Sequence, residues 1–252
     1  MRRVNDSFCA ESSLTLVGVG PGDPSLLTLA AVEAIQNATV VSFPISKLGE
    51  KSLAAKIASN WITDEKRELP LVFPMVSEIQ KRKDAWRKAG KQLAEIVANG
   101  EKVVFLCQGD ISLYSTSAYL LLDIKSNYPE CPLKLIPGIN SFSAAAAKAQ
   151  WTIGLQQEQV LVIPTPEKQE TLEKLLKEAA PLGRVVVLLK MGKRWIWVRP
   201  LLEKMNLLEN SLFAQEVGLS GEIVLPSTEV PATAAMYFSL LLIRQSWPEI
   251  LP

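Results

Sequence analysis

The sequence predicts a two-domain α/β protein, with a mainly parallel N-terminal sheet and a smaller mixed α/β C-terminal domain. Short buried apolar runs alternate with helical periodicities through the first half, which is the pattern of βαβ units. Glycine-bearing loops follow several of those runs, and a Pro137–Gly138 seam separates this half from one that alternates less regularly. The domains are therefore expected at 1–138 and 139–252.

Leu14–Val19 reads as the first buried strand and Leu26–Asn37 as the first helix. Val40–Phe43 is a second strand, with Pro44 expected to close it, and Ser52–Asn60 reads as helical. Glu68–Phe73 is strand-like and stops before Pro74. Ser77–Asn99 is a long amphipathic helix with Ile79, Trp86, Leu93, Ile96 and Val97 near one face. Strand Val103–Cys107, helix Thr116–Lys125 and strand Lys134–Ile136 complete the first half. Beyond the seam come helix Ser141–Ala149, strand Gln159–Ile163, helix Lys168–Ala179 and strand Arg184–Leu189. A helical piece near Val198–Lys204, strand-like Ser211–Val217 and Glu222–Val224, and a final strand Tyr237–Ile243 end the series.

Composition narrows the functional classes. With 48% apolar residues in 252, a substantial core is within reach. The formal net charge of +1 gives no basic stripe for nucleic acid. The apolar stretch Met236–Ile243 is too short to cross a bilayer. The opening "MRRVNDSFCAESS" lacks the apolar segment of a signal peptide and is expected to be a frayed lead-in. Cys9, Cys107 and Cys131 are scattered and odd in number, so a reducing, cytoplasmic setting is the simplest expectation. The sequence contains 0 histidines. That excludes imidazole bases, histidine-based triads and histidine metal sites.

The loop in "LVGVGPGDPSLLTLAA" follows a buried strand but does not match a phosphate-binding turn. In the Gly-x-Gly-x-x-Gly register from Gly18 the third position is Asp23, and from Gly20 it is Ser25. No Gly-Lys-Ser/Thr follows either. Asp23 suits a helix N-cap and Pro24 the first helical position. A carboxylate there occupies the helix end where a phosphate would dock, and Pro21 and Pro24 remove two donors. The loop fits a phosphate-free ligand, or a tight turn with no ligand. Gln108, Gly109 and Asp110 follow a second strand, and Pro137–Ser141 follow a third. Loops at the carboxyl ends of parallel strands can converge on a ligand. Asp110, Asn140 and Ser141 can equally serve as helix caps.

Taken together, "VGVGPGDPSLLTLAAVEAI", "GDISLYST", "PGINSFSAAAA" and "LLKMGK" resemble the signatures of the tetrapyrrole methylase family, from about Leu14 to Gln245. "LPLVFPM", Trp86 and "MYFSLLLIR" bring the resemblance closest to the branch acting at C-20 of precorrin-2. One departure is Ile111, where the family usually has proline after Gly-Asp. The resemblance implies a C-methyltransferase of cobalamin biosynthesis that uses S-adenosylmethionine (SAM), with a cleft between the two domains for that donor. Pro21, Gln108, Gly109, Asp110, Leu113, Asn140, Ser141, Met191 and Gly218 would line the SAM site, several through backbone groups. The acceptor would be precorrin-2 or cobalt-precorrin-2, and a homodimer is implied; no nucleic acid or membrane partner is expected.

The in-line attack of an electron-rich carbon on a sulfonium methyl needs positioning and water exclusion more than a base. Asp110 is the one candidate for a supporting catalytic role. A polycarboxylate acceptor calls for cations, and Lys47, Lys190, Lys193 and Arg194 flank strand ends or presumed cleft loops. Tyr114 can face the substrate or pack the following helix. Trp195 and Trp197 offer an apolar face or are simply buried, and Met191 can equally be core. The competing readings are a tetrapyrrole methylase acting on another ring carbon, a nucleotide-dependent oxidoreductase and a non-catalytic binding module.

Overall fold

The computed structural model describes residues 12–247. The expectations for the N-terminal lead-in and Cys9 lie outside them. The chain divides into two compact units at Asn140/Ser141.

The first unit is built on five strands: β1 (Ser13–Gly18), β2 (Val40–Ile45), β3 (Arg67–Val72), β4 (Lys102–Cys107) and β5 (Leu133–Ile136). Their order is β3-β2-β4-β1-β5, and every pairing is parallel. Helices α1 (Leu29–Asn37), α2 (Leu53–Ala58), α3 (Ile79–Ala98) and α4 (Thr116–Asn127) connect them. A parallel sheet needs cover on both faces, which is why its central strands are almost wholly apolar. Leu14, Leu16, Val103 and Phe105 pack with Leu93 and Val97 of α3 and Leu120 and Ile124 of α4. The alternate residues Val17, Val41, Phe43, Val104 and Leu106 pack with Ile35 of α1 and Ile57 of α2.

Three local expectations need correction. The first predicted helix is two pieces. Asp23 caps a 3-10 turn, Pro24–Leu26, by accepting from the Ser25 N–H at 2.8 Å, and Thr28 caps α1 separately. Pro44 lies inside β2 rather than ending it; the ladder to β4 has already stopped at Ser42, so a missing N–H is tolerated there. Ile79 is exposed, because the 20-residue α3, about 30 Å long, overruns six-residue strands of about 20 Å.

The second unit carries β6 (Val160–Pro164), β7 (Val185–Leu189), β8 (Ser211–Gln215), β9 (Ile223–Pro226) and β10 (Ser239–Ile243), with α5 (Ser141–Lys148), α6 (Gln169–Ala179) and α7 (Trp195–Lys204). The order is β6-β7-β10-β8-β9, parallel between β6 and β7 and antiparallel elsewhere. Leu172 and Leu176 of α6 and Trp195, Val198 and Leu202 of α7 bury Val186, Leu188, Phe213 and Leu241. Arg244, just past β10, is fully buried and pairs with Glu158. It donates to the Thr152 carbonyl at 2.7 Å and lies over the rings of Trp151 and Trp247. Among the described residues, no helix is long and apolar enough to cross a membrane.

Candidate functional site

Adjacent strands β1 and β4 send their following helices to opposite faces of the first sheet: α1 packs on one side and α4 on the other. The loops leaving such a pair splay apart and open a crevice at the strands' carboxyl ends. The β5 loop adjoins them, because β5 is β1's other neighbour. The sheet order therefore gathers the three glycine-bearing loops at one rim.

Hydrogen bonds lock those loops together. Gly20 and Gly109 form an isolated antiparallel bridge, with the Gly109 N–H donating to the Gly20 carbonyl at 2.7 Å and the Gly20 N–H to the Gly109 carbonyl at 3.3 Å. The Gln108 amide donates to the Pro21 carbonyl at 2.9 Å. Asp110 Oδ2 accepts from the Gly138 N–H at 3.0 Å, tying the β4 loop to the β5 loop. Its Oδ1 accepts from the Ser112 N–H at 2.8 Å and from the Ser112 hydroxyl. Two glycines make this approach possible. A Cβ on Gly138 would fall 2.1 Å from the Gly109 carbonyl oxygen, and one on Gly18 would fall 2.5 Å from the Gly138 nitrogen.

Burial alone would raise the Asp110 pKa. The Ser112 hydroxyl and the N–H groups of Ser112, Gly138 and Ile111 overbalance it and hold the carboxyl below its ordinary range. Ile111 thus contributes a donor that proline would lack, while its side chain is buried in the core beneath. Asp110 is an ionised carboxylate at neutral pH with its oxygens occupied. That suits a fixed negative charge holding a loop, and it argues against proton shuttling.

The rim's donors are largely spent inside it. The N–H groups of Val19, Gly20, Gly109, Ser112 and Gly138 are engaged, and Pro21, Pro24 and Pro137 have none. A phosphate needs free N–H groups. Carbonyls and a carboxylate suit a cation, so these residues fit a sulfonium-bearing ligand.

The remaining predicted residues divide into four groups, three of them on loops of the first unit or at its boundary. Leu113 and Tyr114 continue the β4 loop; Leu113 is half-buried, and Tyr114 is exposed with a left-handed φ of 51°. Asn140 ends the β5 loop and Ser141 begins α5. Lys47 is exposed past β2 and pairs with Glu50 at 3.2 Å.

In the second unit, Lys190, with φ 56°, and Met191 follow β7, while Gly218, with φ 79°, follows β8. The Met191 side chain is fully buried in the core, so any ligand contact there would be through backbone. The Gly218 N–H donates to Glu222 at 2.7 Å. Arg194 pairs with Glu167 and donates to the Lys190 carbonyl at 3.0 Å, whereas Lys193 is exposed. Trp195 offers no open face: it is buried and donates to the Pro231 carbonyl at 2.9 Å.

Sequence reasoning missed three participants. Gly138 figured as the domain seam and within the Pro137–Ser141 loop, Ser112 only inside the GDISLYST motif, and Gly18 only as the start of a glycine register. The Asp-x-Ser spacing at 110–112 is the local signal for the Ser112 bond. Nothing local signals the Gly138 contact, which spans 28 positions.

The family model described as "Tetrapyrrole (Corrin/Porphyrin) Methylases" matches residues 13–230. A cobalt-precorrin-2 C(20)-methyltransferase of Salmonella typhimurium is 28% identical over 93% of this chain and 97% of its own. A precorrin-2 C(20)-methyltransferase of Sinorhizobium sp is 25% identical over 90% of this chain and 93% of its own. Among solved structures, the methyltransferase CobJ superposes with a TM-score of 0.66 at 21% identity, covering 92% of this chain and 93% of that one. The uroporphyrin-III C-methyl transferase of Thermus thermophilus, complexed with S-adenosyl homocysteine, gives 0.58 at 17% identity over 92% and 96%.

Proposed function

The chain belongs to the tetrapyrrole (corrin/porphyrin) methylases, and from that premise we propose that it methylates C-20 of precorrin-2, or of cobalt-precorrin-2, in cobalamin biosynthesis. The methyl donor of the family is SAM. Relatives named for this reaction align over nearly the whole chain, which supports this branch over siblings acting at other ring carbons. The observation that carries the reading is the rim itself: glycine-bearing loops tied through Asp110 and Gly138, with their N–H groups largely engaged and the Asp110 charge fixed among them.

When bound, SAM supplies an electrophilic methyl on a sulfonium. The chain's part is to hold and orient. Pro21, Gln108, Gly109, Asp110 and Leu113, with Asn140 and Ser141, form the donor site. The locked loops hold the donor in one pose, and the Asp110 charge favours the cation over its neutral product. Lys47 and Tyr114, both on loops of the first unit, are the candidates to meet an acceptor carboxylate and the acceptor's ring. The proposal includes a cytoplasmic homodimer, which sedimentation of the purified protein and cell fractionation test.

Calorimetric titration with SAM, NAD and NADP tests the cofactor class, with saturable binding expected for SAM alone. Turnover of labelled SAM with precorrin-2 and with its cobalt complex tests the acceptor, and the product's methyl position tests the carbon. Asp110→Arg should abolish SAM binding through bulk and reversed charge. Undiminished affinity in that variant would show the donor site to be elsewhere.

A further inference from the structure

Beneath the Asp110 loop runs a buried polar chain that the function described above does not use. The Cys107 sulfur lies 2.7 Å from the Ser115 hydroxyl, and the Ser115 hydroxyl 2.5 Å from that of Ser117. The Ser117 hydroxyl donates to the Ile111 carbonyl at 2.9 Å. Ser117 is fully buried, and Cys107 and Ser115 nearly so. The chain starts at the last residue of β4, passes the N-cap of α4 and returns to the middle of the intervening loop. It therefore joins both ends of the 108–114 segment to its centre.

Counting hydrogens sets the direction of this chain. A carbonyl can only accept, so the single hydroxyl hydrogen of Ser117 is committed to Ile111. Ser115 must then donate to Ser117. With its one hydrogen given to Ser117, Ser115 can only accept from the Cys107 thiol, as it also accepts from the Ser117 N–H at 3.1 Å. The longer contact from the sulfur to the Gln108 carbonyl, 3.5 Å, is secondary. Every hydrogen runs toward Ile111, the residue between Asp110 and Ser112.

We propose that Ser117, with Ser115 and Cys107 behind it, is the positioning device of the donor site: the chain holds the Ile111 carbonyl down so that Asp110 stays aligned with Gly138. The inference rests on the SAM-binding reading above and assigns these residues no contact with the ligand. Directionality makes the effects unequal. Removing the Ser117 hydroxyl strands a carbonyl and a hydroxyl hydrogen in the interior. Removing the thiol deprives Ser115 only of a weak donor.

The test measures SAM affinity by calorimetry, together with hydrogen–deuterium exchange of the 108–115 segment without ligand. In Ser117→Ala, affinity should fall about tenfold, equivalent to ~1.4 kcal/mol, and the segment should exchange faster, while kcat at saturating SAM stays within about twofold of wild type. Cys107→Ala should weaken binding less than Ser117→Ala, and Ser117→Cys, which restores a donor, should recover part of the loss. Leu120→Ala removes apolar contacts from the same helix while leaving every hydrogen-bonding group of the chain in place, and it should lower the melting temperature with unchanged affinity. If Ser117→Ala binds SAM as wild type does, or if Leu120→Ala weakens binding equally, the positioning role is overturned and the methyltransferase reading stands. If the wild-type protein binds no SAM, both fall.

Discussion

Asp110→Asn isolates the bond on which the candidate site depends. The carboxylate accepts from Ser112 twice, from Gly138 at 3.0 Å and from Ile111. An amide keeps one oxygen and places an NH2 group where the other stood. In either orientation that group meets a donor, the Gly138 N–H or the Ser112 N–H. Hydrogen bonds to a charged group contribute roughly 1.5–3 kcal/mol, and a stranded donor adds to the loss. A destabilisation of about 2 kcal/mol follows, or a melting temperature lower by about 4–8 °C. The pH dependence is the sharper part. The folded pKa of Asp110 is depressed below its ordinary 3.8, so its stabilisation is complete above that value and drains away as pH falls through the folded pKa. Asparagine does not titrate. The gap between wild type and variant should therefore be flat from about pH 5 to 8 and narrow below about pH 4. Thermal melts of both proteins across that range provide the assay. Equal stability at neutral pH, or a gap that does not narrow in acid, would refute the reasoning.

Two glycine variants separate steric exclusion from backbone strain. Gly138→Ala drives a Cβ to 2.1 Å from the Gly109 carbonyl oxygen, while Gly109→Ala meets open space and bears only a left-handed φ of 72°. The first should sharply reduce SAM affinity; the second should cost about 1–2 kcal/mol of stability, and the reverse order would contradict the packing described. Arg244→Met leaves the partly exposed Glu158 and the Thr152 carbonyl without their buried partner, so denaturant unfolding should report a loss of roughly 1–3 kcal/mol. Burial, with Glu130 adding to it, pushes the Cys131 thiol up to about 11. At pH 8 Cys131 should therefore resist iodoacetamide in the native protein and react once unfolded, as mass spectrometry of the modified peptide would show.

Much of the architecture could be read from periodicity, because the central strands β1, β2 and β4 of the first unit are largely buried, mostly apolar runs. The errors fell where tertiary context overrode a local rule. Pro44 reads as a strand end, yet it is accommodated inside β2 because the neighbouring ladder has already ended. For Trp195 and Met191 the sequence left a ligand face and a core position both open, and the second core takes both side chains. Asp23 was recognisable as a cap, but it caps a short 3-10 turn, while Thr28 caps the helix that follows.

For the site, the residue types alone established what chemistry was absent. Without histidine or phosphate-binding glycine spacing, the chain was left with carboxylates, hydroxyls, lysine, backbone dipoles and positioning. The family motifs could also be read directly, because they are contiguous. Local sequence let the loops after β1, β4 and β5 be expected at one rim, but it could not reveal the strand order that brings them there, with β4 between β1 and β2. Nor could it reveal that Asp110 reaches across to Gly138, or that Ser117 turns back beneath Ile111. Motifs and apolar periods are properties of neighbouring residues, so the sequence alone determined them. Strand order and long-range hydrogen bonds exist only once the sheet has closed, so only the tertiary structure decided which groups remained available to a ligand.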